Sequence, residues 1–302
     1  MSIVEIRNLT KTYGSIKAVD DLSMAFDKGE IVALVGPDGA GKTTTFRSIC
    51  GLIDFDSGSI AVAGLDVARE FAKVKSHLGY MPQIFSLYPD LSVAENLEFY
   101  AGIFGVGRKE FAAKREVLYG FSGLGPFADR RAGALSGGMK QKLSLSCALV
   151  HDPEVLILDE PTTGVDPVSR QQFWAILKDL RKGGSAIAVA TPYMDEVALS
   201  DKAVFMYGGK TLASGSPADL LARFGGHVYR VRVAVGPEKF DALAGIGGLE
   251  ARRLGPAAYI YTGPGDRIDN YRSKLESAGL PLDGIEETAP TLEDVFIEMM
   301  NR

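Results

Sequence analysis

Short apolar runs punctuate the chain at Ile3 to Leu9, Ile31 to Val35, Val155 to Leu158 and Ala186 to Ala190. Runs of that length read as β-strands, and the unbroken apolar character of the last three fits a mostly parallel sheet covered on both faces. Between them the hydrophobic period lengthens. Ile31 to Val35 passes through a glycine-rich turn into a helical stretch that ends near Gly51, a residue suited to a C-terminal cap. A second helical stretch, Gly138 to Val150, leads into the strand Val155 to Leu158. Ala94 to Phe104 and Arg108 to Leu118 also read as helical, which makes room for a helical subdomain over about residues 84–150.

Beyond Gly225 and Gly226 the pattern changes. Tyr229, Val231, Val233 and Val235 alternate with Val228, Arg230 and Arg232, the period of a half-exposed strand. We therefore expect a main α/β domain over residues 1–224 and a small C-terminal α+β domain over 225–302. The last element is a helix opened by Thr291 and Asp294 in capping-box spacing, with Leu292, Val295, Phe296, Met299 and Met300 on one face. That face fits packing against its own domain or a contact in a dimer.

Composition narrows the classes. The chain has 302 residues, 46% hydrophobic and 24% charged, enough for an ordinary core and for two domains. Its longest apolar runs fall far short of the roughly 18 residues a membrane-spanning helix needs, so any membrane would be crossed by another chain. Ser2 to Ile6 already reads as strand rather than as a signal peptide, which predicts a cytoplasmic chain. Cys50 and Cys147 lack metal-ligand spacing and read as buried free thiols. A net charge of -5 argues against nucleic acid as a partner.

The chemistry concentrates in three segments. Gly36, Pro37, Asp38, Gly39, Ala40, Gly41, Lys42, Thr43 and Thr44 follow a strand and open a helix, the context in which G-x-x-x-x-G-K-[ST] binds phosphate. Glycines let backbone N–H groups approach the anion, Lys42 reaches the β- and γ-phosphates, and the Thr43 hydroxyl suits Mg²⁺. Second, Val155 to Leu158 deliver Asp159 and Glu160 to a strand's C-terminal end, where ligands bind in open α/β sheets. Asp159 suits the Mg²⁺ shell, and Glu160 the orientation or deprotonation of an attacking water. Third, in Leu135, Ser136, Gly137, Gly138, Met139, Lys140 and Gln141, Ser136 can cap a helix whose exposed N-terminus suits a second anion site.

This third segment, in order with the other two, resembles the signature motif of ABC ATPases. The resemblance covers about residues 2–224 and implies a P-loop NTPase of ABC type with a helical subdomain, using ATP and Mg²⁺. By resemblance Tyr13 stacks on adenine. Gln83, in Tyr80-Met81-Pro82-Gln83, touches Mg²⁺ and the water and senses the membrane subunit. Asp166, in Gly164-Val165-Asp166, belongs to a loop crossing a dimer interface, and Ser136 and Gly138 contact the partner's nucleotide. The implied partners are membrane-spanning permease subunits and a second ATPase subunit, identical or different, at the inner face of the cell membrane. Phe85, Leu87 and Tyr88 fit either a docking groove for the permease or local packing.

Two positions depart from the family. Pro192, in Thr191-Pro192-Tyr193, stands where the family usually has histidine, and proline has neither a side-chain donor nor an N–H. His77, His151 and His227 lie elsewhere in the motif order. Asp38 replaces the more usual asparagine or serine, and its carboxylate repels a γ-phosphate unless compensated. Together they predict a slow site working beside a more regular ATPase subunit; a homodimer that hydrolyses without this histidine is the other reading. As a whole the chain resembles bacterial drug, sodium and polysaccharide exporter ATPases, the variants at Asp38 and Pro192 looking like the first half of tandem exporters. A soluble ABC ATPase acting on ribosomes or nucleic acid is the alternative. A P-loop GTPase is disfavoured, because Leu135 to Gln141 would have no role in one.

Overall fold

The computed structural model describes residues 2–232, 235–254 and 257–301 and divides into two compact units, Met1–Pro217 and Ala218–Arg302. The stretch from Ala218 to Phe224, which the sequence pattern assigned to the first domain, groups with the second. Val233, part of the alternating pattern in the tail, lies outside the described residues.

The first unit begins with a hairpin, β1 (Val4–Tyr13) and β2 (Ile16–Phe26), followed by β3 (Ile31–Val35) and α1 (Lys42–Ile49). Next come β4 (Ser57–Val62), β5 (Leu65–Asp66), α2 (Val67–Val74) and β6 (Leu78–Met81). A helical insertion follows, α3 (Val93–Ile103), α4 (Arg108–Ser122) and α5 (Gly137–Ala148). The chain then returns through β7 (Val155–Asp159), α6 (Pro167–Lys182), β8 (Ala186–Thr191), α7 (Met194–Val197), β9 (Lys202–Tyr207) and β10 (Lys210–Gly215).

The main sheet has the order β10-β9-β3-β8-β7-β6, parallel throughout except for the edge strand β10. Every residue of β3, β7 and β8 is buried, as their unbroken apolar runs require. Their side chains alternate between two cores. Val32, Leu34, Val155, Ile157 and Ala188 pack with the antiparallel sheet β2-β1-β4-β5 on one face. Ile31, Leu156, Leu158, Ile187 and Val189 pack on the other, with residues of the helical insertion and α6. Registers Val35↔Thr191 and Asp159↔Ala190 bring the C-terminal ends of β3, β8 and β7 level, so the residues after each strand emerge on one edge.

In the second unit, α8 (Pro217–Leu221) spans the division and leads to β11 (His227–Val231) and α9 (Pro237–Ala244). β12 (Leu249–Leu254), β13 (Ala257–Thr262), α10 (Arg272–Ser277), β14 (Ile285–Thr288) and α11 (Leu292–Met300) complete it. The antiparallel sheet β12-β13-β11-β14 buries Tyr229, Val231 and Ile260 against Leu243 and Leu275. Val228 is buried too, contrary to simple alternation, and in register it faces Tyr261. The Tyr261 hydroxyl donates to Asp294 Oδ1 of α11 at 2.7 Å, so this helix covers the second face of the sheet. The capping box of Thr291 and Asp294 is formed as expected, and α11 packs within its own unit through Asp294 and Tyr261.

Candidate nucleotide-binding site

The loop after β3 is shaped by glycine. Gly41, at the cap of α1, has φ 105°, and a Cβ there would lie 2.2 Å from the Ala18 carbonyl oxygen, so no other residue fits. Lys42 follows, its side chain buried at 4% exposure, and donates to the carbonyls of Gly36 at 2.8 Å and Pro37 at 3.1 Å. Its ammonium also lies 3.4 Å from Glu160 Oε1. One cation thus spans the loop and the carboxylate that ends the neighbouring strand pair.

Asp159 is fully buried at the end of β7. Its Oδ1 accepts from the Thr43 hydroxyl at 3.0 Å, while Oδ2 has no hydrogen-bond partner among the described residues. Burial holds its carboxyl above the usual range, assisted by the nearby Glu160 charge and opposed by the Thr43 hydrogen bond. A buried carboxylate oxygen left without a donor, beside a threonine hydroxyl, is the oxygen donor set a hard divalent cation takes, so the residues fit Mg²⁺.

Glu160 adopts φ 50°, a left-handed conformation rare for a side-chain-bearing residue, and its N–H donates to Ala190 O at 3.0 Å. Gln83 Nε2 donates to its Oε2 at 2.9 Å, and the Thr163 hydroxyl to the same oxygen at 3.2 Å. Gln83 and Glu160 had been singled out from sequence; Thr163 had not. The signal for Thr163 in the sequence is the pair of threonines immediately after Glu160-Pro161.

Around these groups lies a cavity of about 450 Å³ lined by Tyr13, Ile16, Ala18, the loop from Asp38 to Thr44, Gln83 and Glu160. Tyr13 and Ile16 face each other across the hairpin turn and are 49% and 68% exposed, leaving an aromatic face and an apolar edge open at one end. The Lys11 ammonium sits 5.2 Å from the Tyr13 ring centroid. Of the predicted positions, Gly36 and Pro37 at the start of the loop and Asp159 at the end of β7 are not among the lining residues, nor are Ser136, Gly137, Gly138, Gln141, Asp166 and Pro192. Ser136 caps α5, accepting from Met139 N at 3.3 Å, and Asp166 caps α6, accepting from Ser169 N at 2.9 Å. These two starts adjoin: a Cβ on Gly138 would come within 2.6 Å of Ser169 Oγ. The Ser136 and Asp166 helix starts thus adjoin each other and lie outside the lining of this cavity.

Cys50 and Cys147 are buried and free, and burial pushes both thiols up. Leu87 is buried in the core beneath the helical insertion and Phe85 packs against it, whereas Tyr88 is exposed and meets Phe99 edge-on. Leu87 also lines an apolar cavity of about 290 Å³ with Leu52, Phe71, Met81, Tyr100 and Phe104.

The parallel sheet, the loop at Gly36 and the carboxylates ending β7 define a P-loop ATPase. Comparison with known proteins narrows that class. The family described as ABC transporter matches residues 19–163. The chain is 34% identical over 304 residues to Nod factor export ATP-binding protein I of Rhizobium etli, covering 100% of this chain and 94% of that protein. It is 41% identical over 222 residues to the probable multidrug ABC transporter ATP-binding protein YbhF of Escherichia coli, covering 74% of this chain and only 38% of YbhF. A solved dimeric ATP-binding cassette bound to ADP and Pi superposes with a TM-score of 0.65 at 25% identity, over 70% of this chain and 98% of the cassette. The chain belongs to the ABC transporter family, among its ATP-binding, ATPase subunits. The alternative reading, an ATPase acting on ribosomes or nucleic acid, finds no support among these relatives.

Proposed function

We propose that the chain binds Mg·ATP in the cavity at Tyr13, Asp38 to Thr44, Gln83 and Glu160, and hydrolyses it as half of a cassette dimer that powers a bacterial exporter. The observation that carries this reading is the convergence of loop, glutamine and glutamate on one cavity, with the signature outside its lining. A second ATPase subunit then supplies its own Ser136-type helix start to this nucleotide, while Ser136, Gly137, Gly138 and Gln141 of this chain serve the partner's.

Within the site the loop N–H groups and the start of α1 favour the phosphates, and Lys42 turns its ammonium between them and Glu160. Glu160, held by Gln83 and Thr163, orients the attacking water and accepts its proton. Thr43, Asp159 and Gln83 would hold Mg²⁺, whose charge offsets that of the β- and γ-phosphates. Tyr13 stacks on adenine, and Asp166 lies at the dimer interface.

Export as the purpose is supported by the relatives, a probable multidrug transporter subunit and a Nod factor export subunit. Among the described residues no helix is long and apolar enough to cross a membrane. Membrane-spanning permease subunits as partners, with the chain peripheral on the inner face, are supported by the relatives that are ATP-binding subunits of exporters. The exposed rim at Tyr88, beside the apolar cavity at Leu87, is the docking surface proposed for them.

Pro192 and Asp38 make this half-site the slower one. Restoring a donor aimed at developing charge is worth up to about 10² to 10³ in rate. Steady-state ATPase of the purified chain and of Pro192→His tests this: the variant should be faster by at least about 10-fold. A fast native chain, unchanged by the substitution, would remove the slow-site reading and leave a homodimer that needs no histidine.

A further inference from the structure

Glu196 lies in α7, the short helix after β8, and is 1% exposed. Its Oε1 accepts from the Thr162 hydroxyl at 2.6 Å and its Oε2 from the Thr191 hydroxyl at 2.6 Å. Both threonines are buried, at 1% and 0% exposure. Thr191 Oγ in turn accepts from Tyr193 N at 3.1 Å, so the backbone on both sides of Pro192 is fastened to this carboxylate. Arg170 of α6 supplies the opposing charge, with Nε 3.7 Å from Glu196 Oε1 and its guanidinium 4.2 Å from the Tyr193 ring centroid.

The two threonines lead to different places. Thr162 sits between Glu160 and Thr163, whose hydroxyl holds Glu160 Oε2, and the Glu160 N–H is tied to Ala190 O next to Thr191. Fixing Thr162 and Thr191 to one buried carboxylate therefore fixes the loop that carries Glu160 against the end of β8. This matters more because Glu160 is held at φ 50°, a conformation that persists only when its surroundings over-determine it. Residue 192 is proline and cannot form such a tie through a side chain or an N–H.

We propose that Glu196 is a positioning residue for hydrolysis, joining the segment around Pro192 to the Glu160 loop through Thr162 and Thr191. The proposal rests on Glu160 orienting the water, as argued above. It assigns to a buried carboxylate four residues beyond Pro192 the coupling of that segment to the reacting centre.

The test uses the full chain carrying Glu196→Gln, Thr162→Val or Thr162→Ser, read by steady-state ATPase and by amide hydrogen exchange of the segment around Glu160. Misplacing a reacting group by a fraction of an ångström costs about 10- to 100-fold, so kcat should fall by that factor in Glu196→Gln and Thr162→Val while KM for ATP changes little. The double variant should lose no more than the worse single one, because both act through one chain of bonds. Thr162→Ser keeps the hydroxyl and should restore kcat to within about 3-fold of the native chain. Exchange at the Glu160 amide should quicken by about 10-fold or more in the two disruptive variants and not in Thr162→Ser.

Unchanged kcat in Glu196→Gln, or failure of Thr162→Ser to rescue, overturns the proposal, as does unchanged exchange around Glu160. A native chain no faster than Glu160→Gln would instead refute the ATPase reading, and exchange would then decide by itself whether Glu196 fixes the loop.

Discussion

Asp159→Asn should make the nucleotide-free protein more stable while removing its response to Mg·ATP. Asp159 is completely buried, and its Oδ2 has no hydrogen-bond partner among the described residues. Asparagine keeps the oxygen that accepts from Thr43 and replaces a buried negative charge beside Glu160 with a neutral amide. An unpaired buried polar group costs about 1–3 kcal/mol, and more when charged, so neutralisation should recover about 1 kcal/mol. For a unit the size of Met1–Pro217 that raises Tm by about 2–4 °C. Mg·ATP at 100 times its Kd stabilises the native chain by about 2.7 kcal/mol, or roughly 5–11 °C, and the variant should lose that increment with its metal ligand. Because burial raises the Asp159 pKa in the fold, its protonated form is the one the fold favours. The associated stability is present below the ordinary carboxylate range and is lost as pH rises through the raised value. The variant's advantage should therefore be greatest near neutral pH and close on acidification. Scanning fluorimetry with and without Mg·ATP measures all three. A variant that melts below the native chain at pH 7 without nucleotide, or keeps the Mg·ATP shift, would refute the reasoning.

Two other predictions concern the loop and the proposed docking rim. Gly41→Ala forces a Cβ onto the Ala18 carbonyl and a side chain into φ 105°, and should weaken ATP binding at least about 100-fold by calorimetry; near-native affinity would mean the loop is not the phosphate site. Tyr88→Asp places a charge on the exposed rim and should cut co-purification with the permease about 10-fold or more, leaving the isolated chain's ATPase unchanged; undiminished co-purification would move the docking surface elsewhere.

The elements carrying the site were legible because their physics is local. Buried parallel strands read as unbroken apolar runs, and β3, β7 and β8 lie where those runs do. The loop at Gly36 announces itself because phosphate binding demands both glycine and lysine at fixed spacing. Glu196 and Arg170 escaped because their roles come from side chains brought together across distant stretches. Glu196 meets Thr162 over a sequence separation of 34, which no spacing rule reports. Val228 failed the alternation for a related reason: α11, at the far end of the chain, covers the face that a lone strand would expose. Leu87 and Tyr88 read alike as apolar neighbours, yet one is buried and the other exposed, a distinction set by the packing of the helical insertion.

The central claim is that this chain's own nucleotide is gripped by Gly36 to Thr44 while its signature at Ser136 serves another subunit's nucleotide. The most direct test is the Mg·ATP affinity of the isolated chain carrying Ser136→Arg, with Gly41→Ala as the reference for a lost site. The account predicts an affinity within about 2-fold of the native chain for Ser136→Arg, because Ser136 lies outside the cavity lining. A loss comparable to that of Gly41→Ala would contradict it, placing Ser136 in the chain's own site.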